Sequence, residues 1–287
     1  MRALAEFVMR GPLQAAGVAV LTMAIPLLFW IGAAVIGLVI LRLGLRQGVN
    51  IGIWASLPGL GWAFVGDPTA LSVLVLVVAM AAVLRATQSW ERSLVAGSLV
   101  TVLIGVLLPV LYPALLDQLV QAGVSFYQQY NAEVASELGD QLEPVIRQTM
   151  NASMAGTFLV TSVVLTMLAR SWQAKLYNPG GFREEFHGFR LSGPTAVGCV
   201  VVMVAGPLLG LNSVLVVWAA GLPMVMAAIA LVHGAVGRRG MGTQWLVMFY
   251  IALLLLGPSL LLLLVALAFV DSWLDIRKRI TPSGPAE

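Results

Sequence analysis

Side chains that carry chemistry or face water are scarce in this sequence of 287 residues. It contains one cysteine (Cys199), two histidines (His187 and His233) and only 10% charged residues. A single cysteine excludes a disulfide framework and a multi-cysteine metal cluster, and the two histidines are too far apart in sequence to suggest a local metal site. A soluble domain carries about a quarter charged residues and a disordered chain is strongly polar, so this composition excludes both classes.

Hydrophobic residues are abundant instead, at 60% of the chain with a mean hydropathy of +0.95. Runs such as Val73–Val78 and Leu260–Leu264 are apolar on every side, which excludes the alternating pattern of transmembrane β-strands. Long charge-free stretches cover Gly11–Leu41, Gly48–Gly66, Pro68–Leu84, Ser93–Leu116, Asn151–Ala169, Leu191–Gly237 and Gly240–Val270. Since about 20 apolar residues cross a bilayer as a helix, they predict an all-α polytopic transmembrane helix bundle with about 8–10 membrane helices in a single domain.

Three of these stretches are predicted to be broken. The first is too long for one upright helix and contains Pro26, so we expect two short helices that turn near Leu28–Gly32. The Leu191–Gly237 stretch is expected to divide at Leu211–Ser213. In the last stretch, Gly257 and Pro258 favour a pair of re-entrant half-helices; the alternative is a single kinked span that would leave the tail outside.

Basic residues mark the connections on one side of the predicted bundle. They fall in alternate connections: Arg2 and Arg10; Arg42 and Arg46; Arg85 and Arg92; Arg170, Lys175, Arg183 and Arg190; Arg238 and Arg239. The connections between them are mostly acidic. Because Lys and Arg accumulate on the cytoplasmic face, the sequence predicts a multi-pass protein of the bacterial inner (cytoplasmic) membrane with a cytoplasmic N-terminus.

Two regions are candidates for ligand binding. In the first, Pro58 and Gly59 are expected to break a helix, as in transporter sites, and the candidate cavity-wall residues are Trp54, Pro58, Gly59, Trp62 and Asp67. Simple helix packing is the alternative there. The second is the external segment 117–150, whose apolar residues recur at helical spacing. It is either a connector packed on the bundle or a lid that contacts a ligand through Tyr127, Tyr130 and Asn131.

The internal loop 170–193 interleaves aromatic and basic residues around the turn signal Asn178–Gly181. It is predicted either to lie on anionic lipid at the membrane interface or to dock a cytoplasmic partner. The candidate partner-contact residues are Trp172, Tyr177, Asn178, Pro179, Gly180, Phe182 and Phe186.

Sequence signals for chemistry are lacking. No ionisable residue is expected at the centre of a span, where such residues usually mark ion pathways. The motifs GxxxxGK[ST], HExxH and GxSxG do not occur. We therefore predict no enzymatic activity, catalytic residue, metal ligand, cofactor or nucleic-acid partner.

Short motifs at the two ends of the chain carry a family resemblance. They are Arg2-Ala3-Leu4-Ala5-Glu6, Leu41-Arg42-Leu43-Gly44 with Gln47-Gly48, and the run Asp-Ser-Trp-Leu-Asp-Ile-Arg-Lys-Arg from Asp271 to Arg279. The whole chain resembles the YybS-like family of uncharacterised bacterial membrane proteins, which is distantly similar to the S-components of energy-coupling-factor vitamin transporters and to the cell-shape protein MreD. The resemblance implies an inner-membrane bundle without an enzymatic role. It also implies that Ala15 and Ala19 match the small-xxx-small contact that S-components use against their coupling subunit.

These features together predict a transporter-like, S-component-like membrane subunit that binds a ligand and has no energy source of its own. The alternative is a non-transporting scaffold for envelope or cell-shape machinery, and an enzyme acting on lipid comes third. The expected partners are the lipid bilayer and other membrane or cytoplasmic protein subunits.

Overall fold

The computed structural model describes residues 2–280, which form helices joined by short connections and no strand. The helices are α1 (Arg2–Val8), α2 (Pro12–Met23), α3 (Phe29–Leu43), α4 (Leu45–Phe64), α5 (Thr69–Thr87), α6 (Trp90–Leu111), α7 (Pro113–Tyr130), α8 (Ala132–Leu138), α9 (Leu142–Tyr177), α10 (Gly181–Gly188), α11 (Gly193–Leu208), α12 (Ser213–Arg238), α13 (Gln244–Leu256), α14 (Pro258–Leu274) and α15 (Ile276–Arg279).

Within the described residues, four helical units are long and apolar enough to cross a membrane. They are α5, α6, α12 and the 46-residue stretch Ala132–Tyr177 formed by α8 and α9. Helices α10 and α11, which are bent by 63° at their junction, make a fifth if they count as one span. The shorter apolar helices α2, α3, α13 and α14 have 12 to 17 residues, less than the roughly 20 that an upright crossing needs. The predicted all-α transmembrane bundle is confirmed, with several of its apolar helices too short to span alone.

Helix α3 is the centre of the bundle. Its ten residues from Gly32 to Leu41 are all buried, and α2, α4, α5 and α9 pack around it. The turn between α2 and α3 lies at Ala24–Leu28, so the predicted turn at Leu28–Gly32 was placed too late. The turn coincides with Pro26, which cannot donate a helical hydrogen bond.

Close packing of α2 against α3 depends on the absence of a side chain at Gly32. A Cβ atom there would lie 2.7 Å from Cγ of Met23 and 2.9 Å from the carbonyl oxygen of Ala19. Ala15 and Ala19 are both buried in this packing. The small residues that were candidates for contact with a partner therefore contact the chain's own helices.

The external segment is helical, with α7 lying against the first turns of α9. Leu116 and Val120 of α7 form a small apolar cluster with Leu142 and Ile146 of α9. Gly139, with a φ of +47°, starts a 3-10 turn that separates α8 from α9. The chain can break its helix at this position because glycine tolerates a positive φ.

The last two apolar helices form a hairpin. Gly257, with a φ of +48°, separates α13 from α14. Nη1 of Arg238 donates to the carbonyl oxygen of Arg277 at 2.7 Å, so the chain returns to the end of α12 from which α13 departs. The tail therefore begins at the same end of the bundle as Arg238, which agrees with the predicted pair of re-entrant half-helices and not with the single kinked span.

Candidate functional site

Helices α3, α5 and α9 end together at what we call the basic end of the bundle. Their last turns carry Arg42, Arg85 and Lys175, and cations are favoured at helix C-termini because the backbone carbonyls there are unpaired. Arg85 Nη1 and Gln173 Nε2 both donate to the carbonyl oxygen of Leu41, the latter at 2.9 Å. The helix ends thus position polar side chains around a common point.

A cavity of about 510 Å³ opens at this point. It is lined by Leu41, Leu84, Arg85, Gln88, Arg170, Gln173, Asn178 and Glu185. Arg170 and Glu185 form an ion pair across the cavity wall that fixes α10 to α9. Gln88 ends α5 in the left-handed conformation with a φ of +51°. The cavity presents guanidinium, amide and carboxylate groups, so it offers both hydrogen-bond donors and acceptors to a small polar molecule.

Arg85 gives this cavity its charge. Within the described residues Arg85 makes no ion pair, whereas the charge of Arg170 is balanced by Glu185. The side-chain amides of Gln88 and Asn178 make no hydrogen bond to other described residues. Arg85, apart from the Nη1 that bonds the carbonyl oxygen of Leu41, and these two amides are therefore available to a ligand.

A buried ion pair, which the sequence did not reveal, lies at the end of α14. The carboxylate of Asp271 is 3.4 Å from Nη1 of Arg277, and the two side chains are 2% and 4% exposed. The backbone N–H of Ile276 donates to Asp271 at 2.8 Å, and Arg277 donates to the carbonyl oxygen of Ala227 at 3.4 Å. The pair joins the end of α14 to α12. Its only signal in sequence was an acid and a base six positions apart after an apolar run.

The first group of predicted ligand residues lies along α4 and the connection after it. Trp54 is 61% exposed on the outer surface, and a Cβ added to Gly59 would lie 3.7 Å from the backbone nitrogen of Leu71 on α5. The carboxylate of Asp67 accepts a hydrogen bond from the N–H of Thr69 at 2.9 Å. None of these three residues lines the cavity at the basic end.

The helix break expected at Pro58 is absent, because α4 runs without interruption from Leu45 to Phe64. Proline removes one helical hydrogen bond, but α4 continues through Pro58 while it packs against α2, α3 and α5. Pro58 and Trp62 are half-buried on this helix. The predicted break of this helix is therefore wrong, and it gives no support for a cavity there.

The second group lies on the external segment. Tyr127 is half-buried against the α7–α9 cluster, while Tyr130 and Asn131 are exposed at the junction of α7 and α8. Phe126 packs on both tyrosine rings, at 5.9 and 5.2 Å between centroids. The cavity at the basic end contains no residue of this group.

The aromatic residues of loop 170–193 mostly pack inward. Trp172 is 1% exposed, and Phe182 and Phe186 stack on each other at 6.0 Å. Among the candidate partner-contact residues of this loop, the exposed ones are those of the tip: Tyr177, Asn178, Pro179 and Gly180. The guanidinium of Arg42 lies 3.9 Å from the centre of the Tyr177 ring. Of the candidate partner-contact residues in this loop, only the tip is a free surface, and Asn178 also lines the polar cavity.

Comparison with known proteins adds no assignment: no family model, no curated protein and no solved structure matches the chain.

Proposed function

We propose that this protein is a transporter-like membrane subunit that binds a small polar solute and has no energy source of its own. In this proposal it lies in a bacterial inner membrane with the basic end in the cytoplasm, in accord with the positive-inside rule. The observation that carries the proposal is the polar cavity of about 510 Å³ at the end of an apolar bundle. Ligand sites typically occupy about 300–1,000 Å³.

The chemistry of the cavity defines the solute that would fit. Polar groups pointed into a shared volume are favourable only when water or a ligand satisfies them. Arg85 is suited to an anionic group, and the amides of Gln88 and Asn178 to hydroxyl, amide or carbonyl groups. The proposed ligand is therefore a small polar solute that carries an anionic group. A hydrocarbon would leave these groups without partners.

The test is a thermal-shift screen of the full-length protein in detergent against vitamins, amino acids, nucleotides and organic acids. A hit should bind the Arg85→Gln variant about tenfold or more weakly, because a hydrogen bond to a charged group contributes about 1.5–3 kcal/mol. Arg46→Gln is the matched control, since Arg46 is exposed and does not line the cavity.

A second variant protects this test against misfolding. Gln88→Gly removes one cavity amide at a position where the backbone already has a positive φ, so folding should be preserved while affinity falls. A screen without any stabilising compound would refute the proposal, as would a hit that binds wild type and both variants equally. Co-purification of an ATPase subunit with the wild-type protein would support the proposal that another subunit supplies the energy.

The alternative function, a membrane scaffold, is favoured by the exposed tip Tyr177–Gly180 of the internal loop. If it is correct, Tyr177→Ser should abolish recovery of cross-linked membrane partners without changing solute binding. This single substitution is preferable to a deletion of Pro179–Phe189, because the deletion would also remove the packed rings of α10. Unchanged partners in Tyr177→Ser would exclude the tip as a docking site.

A further inference from the structure

A second cavity, of about 500 Å³, lies on the opposite side of α10 from the polar cavity. Helix α10 contributes to both cavities through different faces. Glu185 faces the polar cavity, while the helical pairs Phe182/Phe186 and Arg183/His187 face the second one. Residues four positions apart lie on one helix face. The second cavity shares no lining residue with the polar cavity.

One part of the second cavity is apolar. Val164 and Met167 of α9 line it on one side, and Met226 and Ile229 of α12 on the other. The seven-residue interval from Met226 to His233 corresponds to about 10 Å along α12. An aliphatic chain fits such a wall, whereas a polar solute would lose its hydration there.

The other part of the cavity is polar and supplies hydrogen-bond donors. Nε2 of His233 lies 2.8 Å from the hydroxyl of Tyr250. A neutral imidazole has one N–H and a phenol one O–H, so this bond uses one of the two hydrogens and the other remains. Arg183 also lines this part and makes no ion pair within residues 2–280.

The backbone of α12 places His187 at the polar end. A Cβ on Gly237 would lie 2.9 Å from Nδ1 and Cε1 of His187, and a Cβ on Gly234 would lie 2.7 Å from its carbonyl oxygen. Both values are below any normal contact. These glycines therefore allow α10 to approach α12 closely enough for the two histidine rings to stand 6.2 Å apart.

Positive charge dominates around His187. The pKa of His187 is lowered first by burial and then by the nearby guanidinium groups, of which Arg183 has the larger effect and Arg277 the smaller. The elements packed against it offer few acidic groups to balance them. Asp271 is engaged with Arg277, Glu185 with Arg170, and Glu184 is exposed on α10.

We propose that the second cavity binds an amphiphile with an anionic headgroup, whose headgroup contacts Arg183, His187 and the His233–Tyr250 pair and whose aliphatic chain lies between α9 and α12. The shared headgroup chemistry could come from a membrane lipid or from free phosphate. The apolar walls commit the proposal to the lipid.

The test uses full-length protein in phosphatidylcholine nanodiscs that contain phosphatidylglycerol with a photoactivatable diazirine on its acyl chain. We expect cross-links on the peptides that contain Met167 and Met226. Unlabelled phosphatidylglycerol should compete for them, and inorganic phosphate or added phosphatidylcholine should not. Because this arm uses the wild-type protein, it does not depend on the folding of a variant.

A second arm measures retained lipid by native mass spectrometry. Arg183→Gln should lower the affinity for phosphatidylglycerol about tenfold, and Arg239→Gln, a change at an exposed arginine that does not line the cavity, should have no effect. Ile229→Trp should fill the apolar part of the cavity and so reduce the amount of retained phosphatidylglycerol. Competition by phosphate alone, equal retention of phosphatidylcholine, or cross-links elsewhere would each overturn the proposal.

Discussion

The ion pair of Asp271 and Arg277 provides the sharpest test of how the C-terminal hairpin is held. The perturbation is removal of one partner at a time, as Asp271→Asn or Arg277→Met. Either change leaves the other group in a site where both side chains are at most 4% exposed. Breaking a buried pair in this way typically costs about 3–5 kcal/mol.

The two variants should not be equal. In Asp271→Asn the guanidinium of Arg277 stays charged, because arginine does not lose its proton in proteins. In Arg277→Met the carboxyl of Asp271 can take up a proton, and its hydrogen bond from the N–H of Ile276 at 2.8 Å remains. We therefore expect Asp271→Asn to cost about 4–5 kcal/mol and Arg277→Met about 3 kcal/mol. The double variant should be more stable than Asp271→Asn alone.

The free energy of unfolding can be measured by titration with SDS in mixed micelles, followed by circular dichroism, for a complete double-mutant cycle. Arg279→Gln is the control, because Arg279 is an exposed base on the same short helix and should change stability by less than about 0.5 kcal/mol. Costs that simply add in the double variant would show that the two groups do not interact. The proposed attachment of α14 to α12 through this pair would then be wrong.

Three further predictions follow from packing, charge and topology. Gly156→Ala should destabilise the bundle by about 1–3 kcal/mol, because the new Cβ would lie 2.3–2.7 Å from the Trp218 ring; Gly198→Ala, with no neighbour within 4 Å, should be neutral or stabilising, and equal effects would contradict this packing. The pKa of His187 is lowered from 6.5, so the neutral form is favoured in the docked state. The protection factors of the α10 amides, which compare each exchange rate with the intrinsic rate at the same pH, should fall as the pH drops below about 6.5 and stay constant above it; the same dependence in His187→Gln would contradict this prediction. A reporter fused to the C-terminal end should lie on the same side of the membrane as one placed in the connection after α12, because Arg238 bonds the backbone at the start of the tail; opposite sides would refute the hairpin.

Features set by the chain's own local chemistry were predicted correctly. The apolar runs predicted the helices correctly, because only hydrogen bonds within the segment satisfy the backbone in hydrocarbon. The division at Leu211–Ser213 is also confirmed, since Asn212 caps α12 by accepting a hydrogen bond from the N–H of Leu215 at 3.0 Å. Pro26 and Gly257 likewise mark real breaks. At each of these positions one residue is enough to determine where a helix begins or ends.

Features that depend on contacts between distant residues were not predictable in this way. The polar cavity combines the ends of three helices with α10, and its members Arg85 and Gln173 are 88 positions apart. No periodicity in the sequence indicates that these two residues lie close together. Pro58 shows the opposite failure: its local chemistry predicts a break, and packing against three neighbouring helices overrides it.

Helix α10 shows why the aromatic residues of the internal loop were misjudged as surface. A helix of eight residues is not stable alone, so α10 needs contacts with the bundle to form. Phe182 supplies one against Trp90 at 6.2 Å, Phe186 another against His233 at 5.4 Å, and Glu185 a third through its ion pair with α9. The same rings and charges are the walls of both cavities. Because the residues that order α10 also shape the two proposed sites, a ligand in either cavity adds to the contacts on which this helix depends.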